Sequence, residues 1–384
     1  MKKVLLTRFG GIGDAAPMMV VGSQLKKKGY HVTMALREDG PAMRLTDVFY
    51  KNPCFDELID LFEFGPWRNR CVKTQFGCCS INSIYSDFDE VLDYMFIVEG
   101  NSTSPVSLKG TGTEWQASRS SNWVNWFDLH LAWANIDPKS VSNEEKRPKF
   151  IVMDEEKAVI LELKKKHSHL ITIQTTASSL SRTWNQSKHL PGKILKDYPE
   201  ALVVYWDNSQ SSWIMFTKAG FNRLNMPSSS PLRASMALVA CSDLYIGADT
   251  GFSHIAEGLD VKNIAIYSTV PAWTRNQYYK HQITVDPGQK NPEFYTFNLG
   301  LGDPLRVAEG EASLTEREKK IDELYKQNLD VREAAVELNT DEEGAKLELE
   351  SLIKKKASFE RIQSKALSSV TADEVYALIK KELK

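Results

Sequence analysis

The stretch Asp249, Thr250, Gly251, Phe252, Ser253, His254 follows three apolar residues, Leu244, Tyr245 and Ile246. It reads as the exit loop of a short buried strand, with a helix starting at once and running from about Ser253 to Leu259. A helix that begins at such a turn aims free backbone N–H groups, and the positive end of its dipole, at whatever lies above the strand. That is a seat for a diphosphate. Thr250 and Ser253 add hydroxyl donors, Gly251 lets the backbone approach a ligand closely, and Asp249 can orient the loop or bind a ligand hydroxyl. The same residue types are ordinary helix caps, so the stretch by itself supports either reading.

Two further loops carry chemistry. Gly11, Ile12, Gly13, Asp14, Ala15 and Ala16 fit the GxGxxA dinucleotide fingerprint, with Glu38 and Asp39 beyond the next strand as ribose ligands. Asp14 argues against that reading, because a carboxylate just after the second glycine would face the pyrophosphate at close range. At the edge of a cleft Asp14 is instead a candidate general base for an attacking hydroxyl, or else a capping aspartate before Pro17. The other loop, Thr175 to Trp184, holds Thr176 and Arg182, a hydroxyl and a permanent cation suited to phosphate. Lys188 and His189 are second choices for the same work, and a solvated arginine is the plain alternative.

The elements that must position these loops alternate. Lys3 to Thr7 is a strand candidate, a helix is expected from about Pro17 to Lys28 with Gly29 ending it, and His31 to Leu36 is a second strand. Strand, glycine loop, helix, strand is the start of a parallel α/β sheet. Val91 to Val98 is a further buried strand, Asn101 to Asn122 a long loop, and Trp123 to Trp133 a helix whose tryptophans read as core. Asn135 to Pro148 is polar and carries two prolines, as a linker between domains would. The alternation then resumes with a helix from Asp154 to Lys166 and strands at Leu170–Ile173 and Ala201–Trp206. From Leu305 the chain becomes charged and poor in aromatics. Thr315 and Glu318 there open a capping box, a helical turn is expected near Asn339 to Gly344, and the chain closes on an amphipathic helix. The expected domains are 1–148, 149–304 and a helical extension, 305–384.

At 384 residues, 42% hydrophobic and 26% charged, the chain has the composition of a globular protein with more than one core. Its 48 basic and 50 acidic residues give a net charge of −2, which offers no global attraction to nucleic acid or an anionic membrane. The N-terminus lacks a signal-peptide core and no apolar run approaches a membrane span, so a cytoplasmic location is expected. Cys54, Cys71, Cys78, Cys79 and Cys241 form no CxxC pair and read as reduced thiols. No cluster with metal-ligand spacing stands out.

Together, Arg8 to Pro17 at the start, Ser181-Arg182-Thr183-Trp184 in the middle and Asp249 to Ala256 late in the chain resemble the bacterial heptosyltransferases, the family-nine glycosyltransferases. The resemblance spans about residues 1–300 and extends to the final helix, as an order of motifs. It implies a GT-B fold, two Rossmann-like domains facing a cleft, and an inverting enzyme that moves a sugar from a nucleotide-diphosphate donor to an acceptor hydroxyl with no cofactor required. On that resemblance Asp14 is the base. Arg182 replaces the family's usual phosphate-binding lysine, and Thr176, Asp249, Thr250, Gly251 and Ser253 hold the donor. Arg8, Gly11 and Gly13 form the acceptor-side loop, and His254 is structural. Asn185 stands where the family commonly has proline, and the charged segment 305–365 is a departure. The sugar stays open between heptose and a relative. The acceptor stays open between a lipopolysaccharide core saccharide, a protein and a modified nucleic-acid base, as do an epimerase or a non-catalytic nucleotide-sugar binder and the oligomeric state.

Overall fold

A computed structural model describes residues 1–8, 11–36, 45–60, 71–73, 79–81, 87–94, 105–107, 114–116, 125–177, 182–206, 212–225, 231–268, 270–291, 315–326, 331–360 and 365–383. The expected ribose ligands Glu38 and Asp39, most of the loop Asn101 to Asn122, and Ser181 lie outside them.

The first sheet has the order β3-β2-β1-β6, from β1 (Lys3–Arg8), β2 (His31–Leu36), β3 (Glu57–Asp60) and β6 (Glu90–Asp93), all parallel. Two small antiparallel hairpins, β4 (Cys71–Lys73) with β5 (Cys79–Ile81) and β7 (Pro105–Ser107) with β8 (Glu114–Gln116), flank it in sequence. Helix α1 (Ile12–Lys27) follows β1, a single turn α2 (Leu45–Val48) follows β2, and α3 (Trp126–Trp133) closes this half. Helix α1 starts five residues before the proline that was expected to open it. The Asp14 carboxylate accepts the Gly11 N–H at 2.8 Å, a side-chain cap that begins the helix there and leaves Pro17 inside it. Pro17 has no N–H to offer the Gly13 carbonyl, so the first turns hold through that cap and through burial of Ile12, Ala15 and Ala16.

After α4 (Asp154–Lys164) the second sheet has the order β12-β11-β10-β9-β13-β14-β15. Its parallel strands are β9 (Leu170–Gln174), β10 (Leu202–Tyr205), β13 (Leu244–Ala248), β14 (Asn263–Ile266) and β15 (Gln282–Val285). The hairpin β11 (Ser212–Thr217) and β12 (Gly220–Asn225) runs antiparallel at the edge. Helices α5 (Leu190–Asp197), α6 (Pro231–Ala240), α7 (Gly251–Gly258) and the single turn α8 (Trp273–Asn276) connect these strands. Strands β9 and β13 are buried at every position, as continuous apolar runs in a covered parallel sheet must be.

The charged extension divides in two. Helices α9 (Glu316–Lys326), α10 (Val331–Leu338) and α11 (Glu342–Glu360) bury Ile321, Leu324, Leu338 and Leu352 among themselves. The Thr315–Glu318 capping box opens α9, and Asn339, at φ 52°, turns the chain between α10 and α11 where the turn was expected. Helices α12 (Lys365–Ser369) and α13 (Ala372–Glu382) instead return to the second sheet, placing Leu367, Val375 and Ile379 in its core. The fully buried Trp184 donates its indole N–H to the Val370 carbonyl at 3.0 Å.

The linker binds the halves together by buried charge. Arg147 reaches the fully buried Glu257 at 2.8 Å and Asp260 at 2.7 Å, and Lys146 pairs with Asp128 of α3 at 2.8 Å. Glu257 also accepts the N–H groups of Lys280 and His281. Removing one partner of such a pair strands the other charge away from water. Arg147→Ala is therefore expected to lower stability by about 3 kcal/mol, while Lys165→Ala, which removes an exposed pair with Glu162, changes it by less than about 0.5 kcal/mol. Urea unfolding followed by circular dichroism measures both. Equal, small effects would show that the linker pair does not carry the interface.

Candidate active site

In each sheet the chain order reverses at one place. In the first it lies between β1 and β6, and in the second between β9 and β13. Ligands of open α/β sheets bind beyond the carboxyl ends of the strands at such switch points. Most of the residues singled out from the sequence follow one of these strand ends. Arg8 ends β1, and Gly11, Gly13 and Asp14 start the helix that follows it. Thr176 and Arg182 follow β9, and Asp249, Thr250, Gly251 and Ser253 follow β13.

The two switch points meet. A methyl group on Gly251 would fall 2.5 Å from Ile12 Cβ, and one on Gly13 would fall 3.1 Å from the His254 ring. The first turns of α1 and α7 thus touch through two residues without side chains, and Ile12 closes the Cα face of Gly251.

On the first side, Arg8 is buried and braces the loop. Its Nε donates to the Asp14 carbonyl at 3.3 Å, its Nη1 to the Tyr94 carbonyl at 3.1 Å, and its Nη2 lies 3.6 Å from Asp14 Oδ1. The bond to Tyr94 spans the β1–β6 crevice. Asp14 keeps about a quarter of its side chain exposed, with Oδ2 spent on the Gly11 cap and Oδ1 facing Arg8. Asp14 is thus both the capping aspartate and a carboxylate at the mouth.

On the second side, Gln174 joins the two loops, a role that no sequence motif announced. Its amide donates to the Thr176 carbonyl at 2.6 Å, and its Oε1 accepts the Thr250 hydroxyl at 3.0 Å. Asp249 is nearly buried, its N–H bonded to the Ile266 carbonyl. Thr250, Gly251 and Arg182 keep partial exposure. Ser253 is fully enclosed and its hydroxyl donates back to the Thr250 carbonyl, a bond that shapes the turn. Lys188 and His189 are exposed on a one-turn helix.

A residue absent from the sequence reading lies among these. Arg275, on α8, places its guanidinium over the Trp126 ring of α3. Burial weakens the hold on its proton, with Asp249 and then Asp14 opposing that effect and Arg182 adding to it. Burial depresses His254 to about 4, Asp249 pulling it up and Arg275 pushing it down. His254 Nδ1 contacts the Tyr279 hydroxyl, which burial keeps protonated. His130 falls to about 3 through burial and the Arg8 charge, although its Nδ1–H donates to the Trp126 carbonyl at 2.7 Å.

Among the described residues no group of His, Cys, Asp and Glu could hold a metal ion. No helix among them is long and apolar enough to cross a membrane.

Residues 140–296 match the family model of glycosyltransferase family 9 (heptosyltransferase). That segment includes the second sheet from β9 to β15, while Arg8 to Pro17 lie outside it. Among solved structures the chain is similar to ADP-heptose lps heptosyltransferase II of E. coli, at 12% identity over 74% of this chain and 90% of that one, with a TM-score of 0.50. A family 9 glycosyl transferase from Veillonella parvula aligns at 14% identity over 81% and 96% with a TM-score of 0.49. E. coli heptosyltransferase WaaC with ADP-2-deoxy-2-fluoro heptose aligns at 14% identity over 73% and 92% with a TM-score of 0.42. No curated protein sequence matches. Likeness at this level shows the fold, which is GT-B.

Both histidines are held neutral in the folded protein, so folding releases their protons when the pH is below the unfolded value of about 6.5. Their contribution to stability is fully present above that value and is lost as pH falls toward about 4 for His254 and about 3 for His130. The slope approaches about 1.4 kcal/mol per pH unit for each histidine between those limits. Urea midpoints measured from pH 7 to 4 should fall more steeply for the wild type than for His254→Gln. Parallel curves would show that His254 is not held neutral.

Proposed function

We propose, from the match of residues 140–296 to the family model of glycosyltransferase family 9, that the protein transfers a sugar from a nucleoside-diphosphate donor to an acceptor hydroxyl with inversion at the anomeric carbon. The reading rests on one observation, the meeting of the two switch points through Gly13 and Gly251. It brings a partly exposed carboxylate, Asp14, and a strand-to-helix loop, Asp249 to Gly251, to one mouth from different sheets.

In the reaction the acceptor oxygen attacks the anomeric carbon as its proton passes to Asp14 Oδ1. The bond from that carbon to the diphosphate breaks, and its electron pair leaves on the phosphate oxygen. The Gly251 N–H and Arg182 face the growing charge, and donors fixed beforehand lower the barrier without reorganising. Gln174 and Ser253 hold Thr250 in place. Arg8 holds the loop that presents Asp14. The similar proteins named for ADP-heptose suggest an adenosine diphosphate heptose as the first donor to try. A saccharide hydroxyl is the first acceptor to try, and its reaction needs no cofactor from this chain.

Asp14→Asn removes the base and keeps the size, so kcat should drop roughly 10²–10⁴-fold while donor affinity is largely retained. A thermal-shift screen of nucleotide sugars identifies the donor first, since a ligand bound only to the folded state raises its melting temperature. Turnover is then measured with wild type and variant. A variant as fast as wild type would remove Asp14 from the chemistry. Sugar modification without any acceptor would favour an epimerase instead.

A further inference from the structure

The transfer just described leaves one half-buried cation, Arg275, without a task. The enclosed Nε–H of Arg275 has no hydrogen-bond partner. Among the described residues no carboxylate lies within ion-pair distance of its guanidinium. The side chain is nonetheless held. The Trp126 ring supports it, and Asn125, next to that tryptophan, donates to the Trp273 carbonyl of α8 at 2.9 Å. These contacts join α3 of the first half to α8 of the second, so the guanidinium is fixed where the halves meet.

Three neighbours define what it faces. Asp249 of the β13 loop and Asp14 of α1 are the carboxylates whose charges favour it, and Arg182 of the β9 loop is a cation whose charge opposes it. Two like charges near each other repel, and an anion that meets both relieves that repulsion. An enclosed donor without an acceptor also costs free energy until a ligand oxygen meets it. A planar guanidinium matches two oxygens of a phosphate better than an ammonium does. The arrangement is that of a seat made for an anion and built from both halves.

We propose that Arg275 is a catalytic residue that grips the donor diphosphate opposite Arg182, its Nε–H donating to a phosphate oxygen. This rests on the sugar-transfer reading. When the anomeric C–O bond breaks, the electron pair goes to the diphosphate oxygen, and Arg275 neutralises the charge that collects there. The proton released by the acceptor hydroxyl goes to Asp14. Arg275 takes up no proton, and its charge keeps the leaving diphosphate and the Asp14 carboxylate from opposing each other directly.

Isothermal titration of the full chain with ADP, GDP, UDP and CDP, and with the matching monophosphates, tests the assignment. In Arg275→Gln the dissociation constant of the bound diphosphate should rise roughly 10- to 100-fold, the worth of a charge-assisted bond, while that of its monophosphate changes much less. Arg275→Lys keeps the charge without the fork and should fall between. It also serves if the glutamine variant fails to give a cooperative melt. Unchanged diphosphate affinity in either variant overturns the assignment. So does an equal loss for monophosphate and diphosphate, which marks a merely structural arginine. If the wild type binds none of the four diphosphates, the sugar-transfer reading itself fails and this one with it.

Discussion

The contact on which the rest depends is that between the first turns of α1 and α7. Gly13 and Gly251 have no side chains to keep these helices apart, and Ile12 and His254 fill the room that results. Each helix start carries N–H groups without intrahelical partners and the positive end of a dipole. Bringing two such ends together is unfavourable unless negative charge is nearby. Asp14 supplies it as a cap within α1, and Asp249 supplies it just before α7 begins. The GT-B arrangement therefore places two positive helix ends and two carboxylates at one seam, with residues from both sheets in reach.

Much of this was legible in the chain, because the signals were local. The alternation of strands and helices, the His31–Leu36 strand and the turn at Asn339 follow from apolar spacing and from residue types that tolerate the required backbone. The Asp249 loop was legible for the same reason: an apolar run, a polar turn and an immediate helix are neighbours in sequence. The start of α1 was misplaced because a proline is a strong local signal for a first turn. Here the Asp14 cap and the buried face of Ile12, Ala15 and Ala16 outweigh it.

What was not legible depends on contacts between distant segments. Gln174 is an ordinary strand residue until β13 lies beside β9 and brings Thr250 to its amide oxygen. Arg275 is 149 residues from Trp126, and only the packing of α8 on α3 gives it a fixed place. The return of α12 and α13 to the second sheet has the same character. An amphipathic helix announces that it will bury one face, and the pairing of Trp184 with Val370 decides against which core.

The objection that Asp14 raised against a dinucleotide site bears equally on a sugar-transfer site, since a carboxylate and a diphosphate repel in either case. Low dielectric strengthens that repulsion, and His130, His254 and Tyr267 are buried here, which keeps the histidines neutral and the Tyr267 phenol protonated. The seam answers with fixed guanidinium groups. Arg8 braces the Asp14 loop through three contacts within the first half. Arg182 and Arg275 come from the second half, one from each side of the β9–β13 switch point. Among the described residues, these three arginines thus share the seam with two carboxylates, Asp14 and Asp249. A diphosphate entering there would meet guanidinium groups as well as carboxylates. On the proposed reading, the base and the leaving group are compatible because their counter-charges come from different sheets, and the contact between α1 and α7 is what brings those sheets together.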